Sequence, residues 1–273
     1  MELSVVILNW NSKHYLDACM GSLIRTMPPL TKKEIIIVDN GSKDGSAAYI
    51  KKAYPDTILI ENNKNMGVGP ARNQGLLAAK GKYILILDVD TIVHEGTIGI
   101  LMQTLQTDKD VGLCGPKLIG PDMQLQYSCR EFPTILSKLY RQFPKKWQSY
   151  LLKKEELRDW DHNTIRCVGY VIGACHIIRR EAFEDIGLFD PRMFYGCEEI
   201  DFCLRLWKKG WKVVYNPDGV VTHMEQRCGR KNLLSYLQMQ HNKSLMIYTL
   251  KHKYILKAPH ITSNNHLEFN IAR

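Results

Sequence analysis

Residues 85–93 read LILDVDTIV, an apolar run that ends in two carboxylates one residue apart. In an extended strand, side chains i and i+2 share a face, so Asp88 and Asp90 can point to one side where the strand leaves its sheet. Two carboxylates held together in apolar surroundings are costly without a cation. Mg2+ or Mn2+ suits oxygen ligands and removes that cost, with substrate phosphates completing the coordination. The competing reading makes them loop aspartates that cap the next helix. The apolar residues directly before Asp88 favour the strand end.

Two glycine-bearing stretches add anion chemistry. In IVDNGSKDGS (37–46), Asp39 precedes an Asn-Gly turn that leaves backbone N–H groups free to face a ligand. In NKNMGVGPARNQG (63–75), a Gly-x-Gly turn enters a helix, whose N-terminus can approach an anion. A dinucleotide fingerprint fails here, because Arg72 stands where the third glycine belongs and the motif follows the third strand.

These residues need a scaffold. Four short β-rich runs at 4–8, 34–39, 57–61 and 83–88 are continuous rather than alternating, the pattern of strands covered on both faces. Helical stretches lie between them, which predicts an open α/β fold with ligands beyond the carboxyl ends of the strands. Further on, YVIGACHIIRREAF reads as a strand entering a helix and EEIDFCLRLWKKG as an amphipathic helix closed by Gly210. WKVVYNPDGVVTH reads as a pair of short strands, and 232–252 has apolar residues at helical spacing. Residues 138–158 form a basic, aromatic-bearing segment broken at Pro144, and the tail beyond Pro259 is polar. No Gly/Ser or Pro-rich linker divides the chain, so one domain is expected.

In this order, SVVILNWNS, IIIVDNGSKDGS, NKNMGVGPARNQGLLAAKGKYILILDVDT, VIGACHIIRREAF and EEIDFCLRLWKKGWKVVYNPDGVVTH resemble family 2 glycosyltransferases of the GT-A fold, rhamnosyltransferase-like branch. The resemblance runs from about Ser4 to His252. It implies a Rossmann-like, mostly parallel central sheet flanked by helices, with a C-terminal helical extension. The implied division is a nucleotide-sugar half (1–118), an acceptor and catalytic half (119–230), and a C-terminal helix and tail (231–273). The implied donor-binding residues are Asn9, Asn11, Asp39, Asn65, Gly67, Arg72 and Asp88, with Asp39 recognising the base and Arg72 a base or phosphate contact. The implied metal ligands are Asp90, Asp88 and His223; a lone histidine would otherwise count as structural. Glu199 takes the base position, where related sequences carry Asp, and its longer arm leaves Glu198 and Asp201 as alternatives. Without the resemblance, all three read as acidic residues complementing a helix N-terminus. The implied activity is an inverting, Mg2+- or Mn2+-dependent transfer from a nucleoside-diphosphate sugar, dTDP-rhamnose first and UDP-sugars next, to a glycan acceptor that is lipid-linked.

With Lys+Arg 37 against Asp+Glu 28, the net charge of +9 favours an anionic partner. Nucleic acid is not expected, because the strands are aliphatic rather than studded with aromatics. A nicotinamide enzyme is opposed by NWN (9–11) where its fingerprint should lie, and a catalytically inactive binding protein is the remaining alternative. Within 138–158, Trp147, Tyr150 and Leu151 among Lys145, Lys146, Lys153 and Lys154 fit either anionic lipid head groups or a solvated charged face. The eight cysteines show no CxxC pair and read as reduced structural thiols. No signal peptide or apolar span is evident, so the expected location is cytoplasmic, with any membrane contact peripheral.

Overall fold

The computed structural model describes residues 1–29, 31–134, 145–224, 235–253, 258–262 and 267–268. Its strands are β1 (Leu3–Asn9), β2 (Lys33–Asp39), β3 (Ile58–Glu61), β4 (Tyr83–Asp88), β5 (Thr91–Val93), β6 (Val111–Ile119), β7 (Leu125–Gln126), β8 (Cys129–Arg130), β9 (Arg166–Cys167), β10 (Tyr170–Val171), β11 (Cys175–Arg179) and β12 (Lys212–His223), with a small hairpin of His260–Ile261 and Leu267–Glu268. The helices are α1 (Leu16–Thr26), α2 (Ser46–Ala53), α3 (Val68–Ala78), α4 (Thr97–Thr107), α5 (Lys145–Glu155), α6 (Arg180–Ile186), α7 (Glu198–Lys208) and α8 (Tyr236–His252).

The main sheet runs β3-β2-β1-β4-β11-β6-β12-β5. The first four strands are mutually parallel, as are β6 and β12, whereas β11 is antiparallel to both β4 and β6. Both halves of the chain therefore share one sheet. The continuous apolar runs are explained by burial on both faces. Val6, Ile36, Ile84 and Ile86 pack with Leu76, Phe202 and Tyr248 from α3, α7 and α8. Leu3, Val5, Ile7, Leu85 and Leu87 pack on the other side with Leu16, Leu23 and Leu101 from α1 and α4. β3 differs, since it stands at the sheet edge with its residues partly exposed.

One expectation changes in detail. WKVVYNPDGVVTH is one strand, β12, whose register against β6 shifts between Asn216 and Val220; the Pro217-Asp218-Gly219 step interrupts the ladder without ending it. The amphipathic helix α7 forms as expected and ends before Gly210. Cys19, Cys114, Cys129, Cys167, Cys175 and Cys203 are free thiols, and burial pushes those of Cys19, Cys114 and Cys203 up to about 12. Cys228, the 138–144 part of the basic segment with Pro144, and most of the tail beyond Pro259 lie outside the described residues.

The position of α3 follows from one close approach: a Cβ at Gly75 would collide with the Val6 side chain of β1. Gly75→Ala is expected to lift α3 off the sheet and lower stability by about 1–3 kcal/mol, the range for overpacking a tight core, read as a lower midpoint in denaturant unfolding.

Candidate active site

The strand order reverses direction at β1, which has β2 on one side and β4 on the other. Such a reversal opens a crevice beyond the carboxyl ends of these strands. Asn9 pairs across from Asp39, and Leu8 from Asp88, so all three polar strand ends meet there.

Side-chain bonds to backbone amides and to other side chains knit the loops of this rim. Asn9 Nδ2 donates to Asp39 Oδ2 (2.7 Å), and the Ser42 amide donates to Asp39 Oδ1 (2.9 Å). Asn11 accepts from the Lys43 amide at 2.7 Å, while its own amide donates to Ser42 Oγ at 2.9 Å. Asn40 donates to Asn65 Oδ1 (3.0 Å), which also accepts from the Gly67 amide (2.8 Å). The structure thus brings Asn9, Asn11, Asp39, Asn65 and Gly67 into one hydrogen-bonded rim. Asp39 is buried and both its oxygens are engaged, each keeping a spare lone pair. Gly67 has φ +93°, and a Cβ there would lie 2.7 Å from the Phe194 carbonyl oxygen. That same oxygen accepts from the Val68 amide (2.7 Å), tying the glycine turn to the segment that enters α7.

Arg72 projects from α3 into the interior, where its side chain is 3% exposed. Its Nη2 donates to Asp88 Oδ1 (2.8 Å) and to the Gly173 carbonyl (2.8 Å), and its Nη1 lies 3.5 Å from Glu198 Oε1. The guanidinium expected to meet a phosphate therefore joins a strand-end aspartate to the first residue of α7.

Asp88, Asp90 and His223 each offer a ligand atom, and these atoms all lie within 4.8 Å of one another. His223 Nε2 is 3.7 Å from Asp90 Oδ1. Gln126 determines which imidazole nitrogen carries the proton. Its Nε2 donates to the His223 carbonyl (2.9 Å), which can only accept, so its Oε1 is the atom 2.9 Å from His223 Nδ1. Nδ1 must then carry a proton, which makes Nε2, on the side of the aspartates, the ring nitrogen able to serve as a ligand. Two carboxylates and an imidazole nitrogen form a donor set that fits a hard or borderline divalent cation.

The three carboxyls of α7 have different surroundings. Burial pushes Glu198 well above the ordinary carboxylate range, and neighbouring Glu199 adds to the rise while Arg72 opposes it. Glu199 is half-buried, and its Oε2 makes no hydrogen bond among the described residues. Asp201 lies about 200° around the helix from Glu199, fully buried, accepting from Arg205 Nε (2.9 Å), Lys251 Nζ (2.8 Å) and His252 Nε2 (2.7 Å). Although burial alone would raise it, these donors hold its carboxyl down at about 2.

Sequence reasoning did not single out Gln126, Asn40, Ser42 or Trp10. Asn40 and Ser42 stand inside the Asn-Gly turn already marked as a ligand-facing loop. Trp10 is 41% exposed between Asn9 and Asn11, and a large exposed aromatic at a strand end is a signal that could have been read. Gln126 carries none, because its role depends on a two-residue pairing with β6.

The family model for Glycosyl transferase family 2 matches residues 4–187. The chain belongs to that family. It is 26% identical over 94% of its length, and 87% of the relative's, to the N-acetylglucosaminyl-diphospho-decaprenol L-rhamnosyltransferase of Mycobacterium tuberculosis. Solved structures with the same fold include GalNAc-T7 with UDP, GalNAc and Mn2+ (TM-score 0.64, 20% identity, 90% of this chain and 48% of that one). Another is the mannosyltransferase PcManGT from Pyrobaculum calidifontis with GDP-Man and Mn2+ (TM-score 0.63, 20% identity, 94% and 66%). This chain is thus a glycosyltransferase on the GT-A scaffold, and spans about half of the first of these two structures.

Two consequences for this glycosyltransferase are measurable. Gln126→Leu frees the His223 ring to adopt the wrong tautomer, and Mn2+ affinity by titration calorimetry is expected to fall roughly 10- to 100-fold. Asp201→Asn removes the buried counter-charge shared by Arg205 and Lys251, which are themselves partly exposed. The loss is about 2–3 kcal/mol at neutral pH, below the range for a fully buried pair because Lys251 is partly solvated. Asp201 has a lowered pKa, so its contribution is present above its ordinary value of 3.8 and lost as pH falls toward about 2. Thermal melts should therefore show a constant gap between wild type and variant at pH 5–8 that narrows only in strong acid.

Proposed function

We propose that this glycosyltransferase moves a sugar from a nucleoside diphosphate to a hydroxyl of a glycan carried on a lipid diphosphate, in one displacement that inverts the anomeric centre. The observation that carries the reading is the Arg72 bridge. One guanidinium bonded to Asp88 and paired with Glu198 sets the acidic end of α7 against the strand-end aspartates. The electrophile and the base must meet at such a junction.

Glu199 is the base. Glu198 is buried against Arg72, with burial pushing its carboxyl up, and Asp201 is engaged by three cationic or imidazole donors. The Glu199 carboxylate, the only one of the three on a half-buried residue, accepts the acceptor hydroxyl's hydrogen bond and then its proton. The acceptor oxygen bonds to the anomeric carbon as the bond from that carbon to the phosphate oxygen breaks, and the electron pair leaves with the nucleoside diphosphate. Asp39 and the Asn9, Asn11, Asn65 and Gly67 rim hold the base and ribose, with the exposed Trp10 indole offering a stacking face. A Mg2+ or Mn2+ ion held by Asp88, Asp90 and His223 would neutralise charge on the departing diphosphate. Arg72 keeps Asp88 in position for that task.

Residues 1–118 serve the donor, 119–230 supply the acceptor side and base, and 231–273 extend the fold. The name of the mycobacterial relative supports a lipid-diphosphate acceptor and a rhamnose donor, so dTDP-rhamnose is the first donor to try and UDP-sugars the next. The nucleotides and Mn2+ in the two solved neighbours support a nucleotide-sugar and a metal in general.

Thermal-shift screening of sugar nucleotides with Mn2+ is expected to find one donor that raises the melting temperature. Asp90→Ala should abolish the metal-dependent part of that shift. Glu199→Gln should keep the shift yet lower kcat about 10²- to 10⁴-fold. A wild type indifferent to every sugar nucleotide, or full turnover by Glu199→Gln, would refute the reading.

A further inference from the structure

Helix α8 is apolar on two opposite faces. Its inner face buries Leu245, Tyr248, Thr249 and His252 against the rest of the fold. At about 100° per residue, Tyr236, Met239, Lys243, Met246 and Leu250 fall within roughly 80° of one another on the opposite side. Tyr236 and Met239 are each 60% exposed, Met246 56% and Leu250 70%. A surface helix ordinarily turns polar residues outward; this one turns two methionines, a leucine and a tyrosine to the outside, with an exposed lysine in their midst.

We propose that this outer face of α8 seats the protein on an anionic lipid surface. Charge selects that occupant. α8 contains no aspartate or glutamate, Lys243 lies within the apolar stripe, exposed Lys253 follows its end, and the whole chain carries +9. A lysine amid apolar residues is suited to an interface, because its stem lies along the acyl boundary while its ammonium reaches the head groups. A second copy of the chain is a poorer fit, since a two-fold contact centred on the stripe opposes Lys243 to its own image. Helix α5 repeats the chemistry: Trp147 and Tyr150, 60% and 59% exposed, share a face with exposed Lys154.

The position of α8 gives the seating a purpose. The His241 ring packs where a Cβ at Gly196 would lie, and the Tyr236 ring meets Phe194 edge-on at 5.7 Å. Residues 194–196 run directly into Glu198 and Glu199. A lipid surface on the outer face of α8 therefore comes within about one helix diameter, roughly 10 Å, of the loop that leads to the carboxylates. This role deepens the reading of a lipid-linked acceptor, but binding to lipid is measured without donor, metal or turnover.

The experiment is flotation of the full chain with vesicles of phosphatidylcholine alone and with 30 mol% phosphatidylglycerol. The expected result is binding to the anionic vesicles only. The Met239→Ser, Met246→Ser, Leu250→Ser triple variant should lower the partition coefficient at least about tenfold. Lys243→Glu, a surface change that leaves the inner face intact, should lower it about fivefold or more. Both variants should keep the wild-type melting temperature and donor shift. Absent binding, equal binding to neutral vesicles, or undiminished binding by Lys243→Glu and the triple variant overturns the proposal. So does a wild-type dimer in sedimentation equilibrium that the triple variant converts to monomer. Vesicle binding that fails while donor and Mn2+ still shift the melting temperature leaves the catalytic reading standing, and the reverse result leaves the lipid seat standing.

Discussion

A guanidinium sealed from water must have its charge answered nearby, and at Arg72 that requirement organises the whole centre. Its two partners come from different parts of the chain, Asp88 from the end of β4 and Glu198 from the start of α7. A buried cation that loses either partner is left uncompensated, so the fold is most stable when donor side and base side stand in register. Arginine suits the task because its rigid fork presents separate donors to a carboxylate, a carbonyl and a second carboxyl at once; a lysine offers a single point charge. Local charge follows from the same geometry. Asp88, Asp90 and the first-turn carboxyls of α7 gather more acidic than basic side chains here, with Arg72 the buried cation among them. A divalent cation would offset that excess.

Three acidic side chains within four residues give no hint, in sequence, of which one works. Packing separates them. α8 delivers Lys251 and His252 to Asp201, and Arg205 reaches it from the next turn of α7, converting it into a clamp between the two helices. Glu198 is turned into the apolar interior beneath the Arg72 fork, where the neutral form is favoured. Glu199 remains, on the one half-buried residue of the three, which is why it is the base proposed above. Helix phase makes the difference: neighbours along the chain point to different environments.

Much of the scaffold could be read from the residues themselves. The uninterrupted apolar runs revealed strands covered on both faces, and the polar residue ending each run, Asn9, Asp39 or Asp88, marked the crevice before any coordinates. Strand alternation suggested that Asp88 and Asp90 converge, but Asp88 ends β4 and Asp90 lies in the two-residue turn before β5, so the turn brings them together. What stayed hidden depended on distant contacts. Gln126 orients His223 across a ribbon too short to announce itself, and the Arg72 contacts with Asp88, Gly173 and Glu198 join parts of the chain far apart in sequence. The break expected at Asn216–Gly219 became a register shift within β12, because the long partner β6 continues past it.

The placing of β11 carries a consequence for how the chain acquires its shape. This strand comes from residues 175–179 yet inserts between β4 and β6, so the open side of β4, which ends at Asp88, has no neighbour until the chain has been made as far as Cys175. During synthesis at roughly 5–20 residues per second, β1 to β4 can assemble first, with a hydrophobic edge exposed for several seconds. An unpaired edge of that kind recruits stray strands. Production of this enzyme should accordingly be sensitive to the pace of translation between β6 and β11, and a chain truncated in that interval would aggregate rather than persist as a half-formed nucleotide binder.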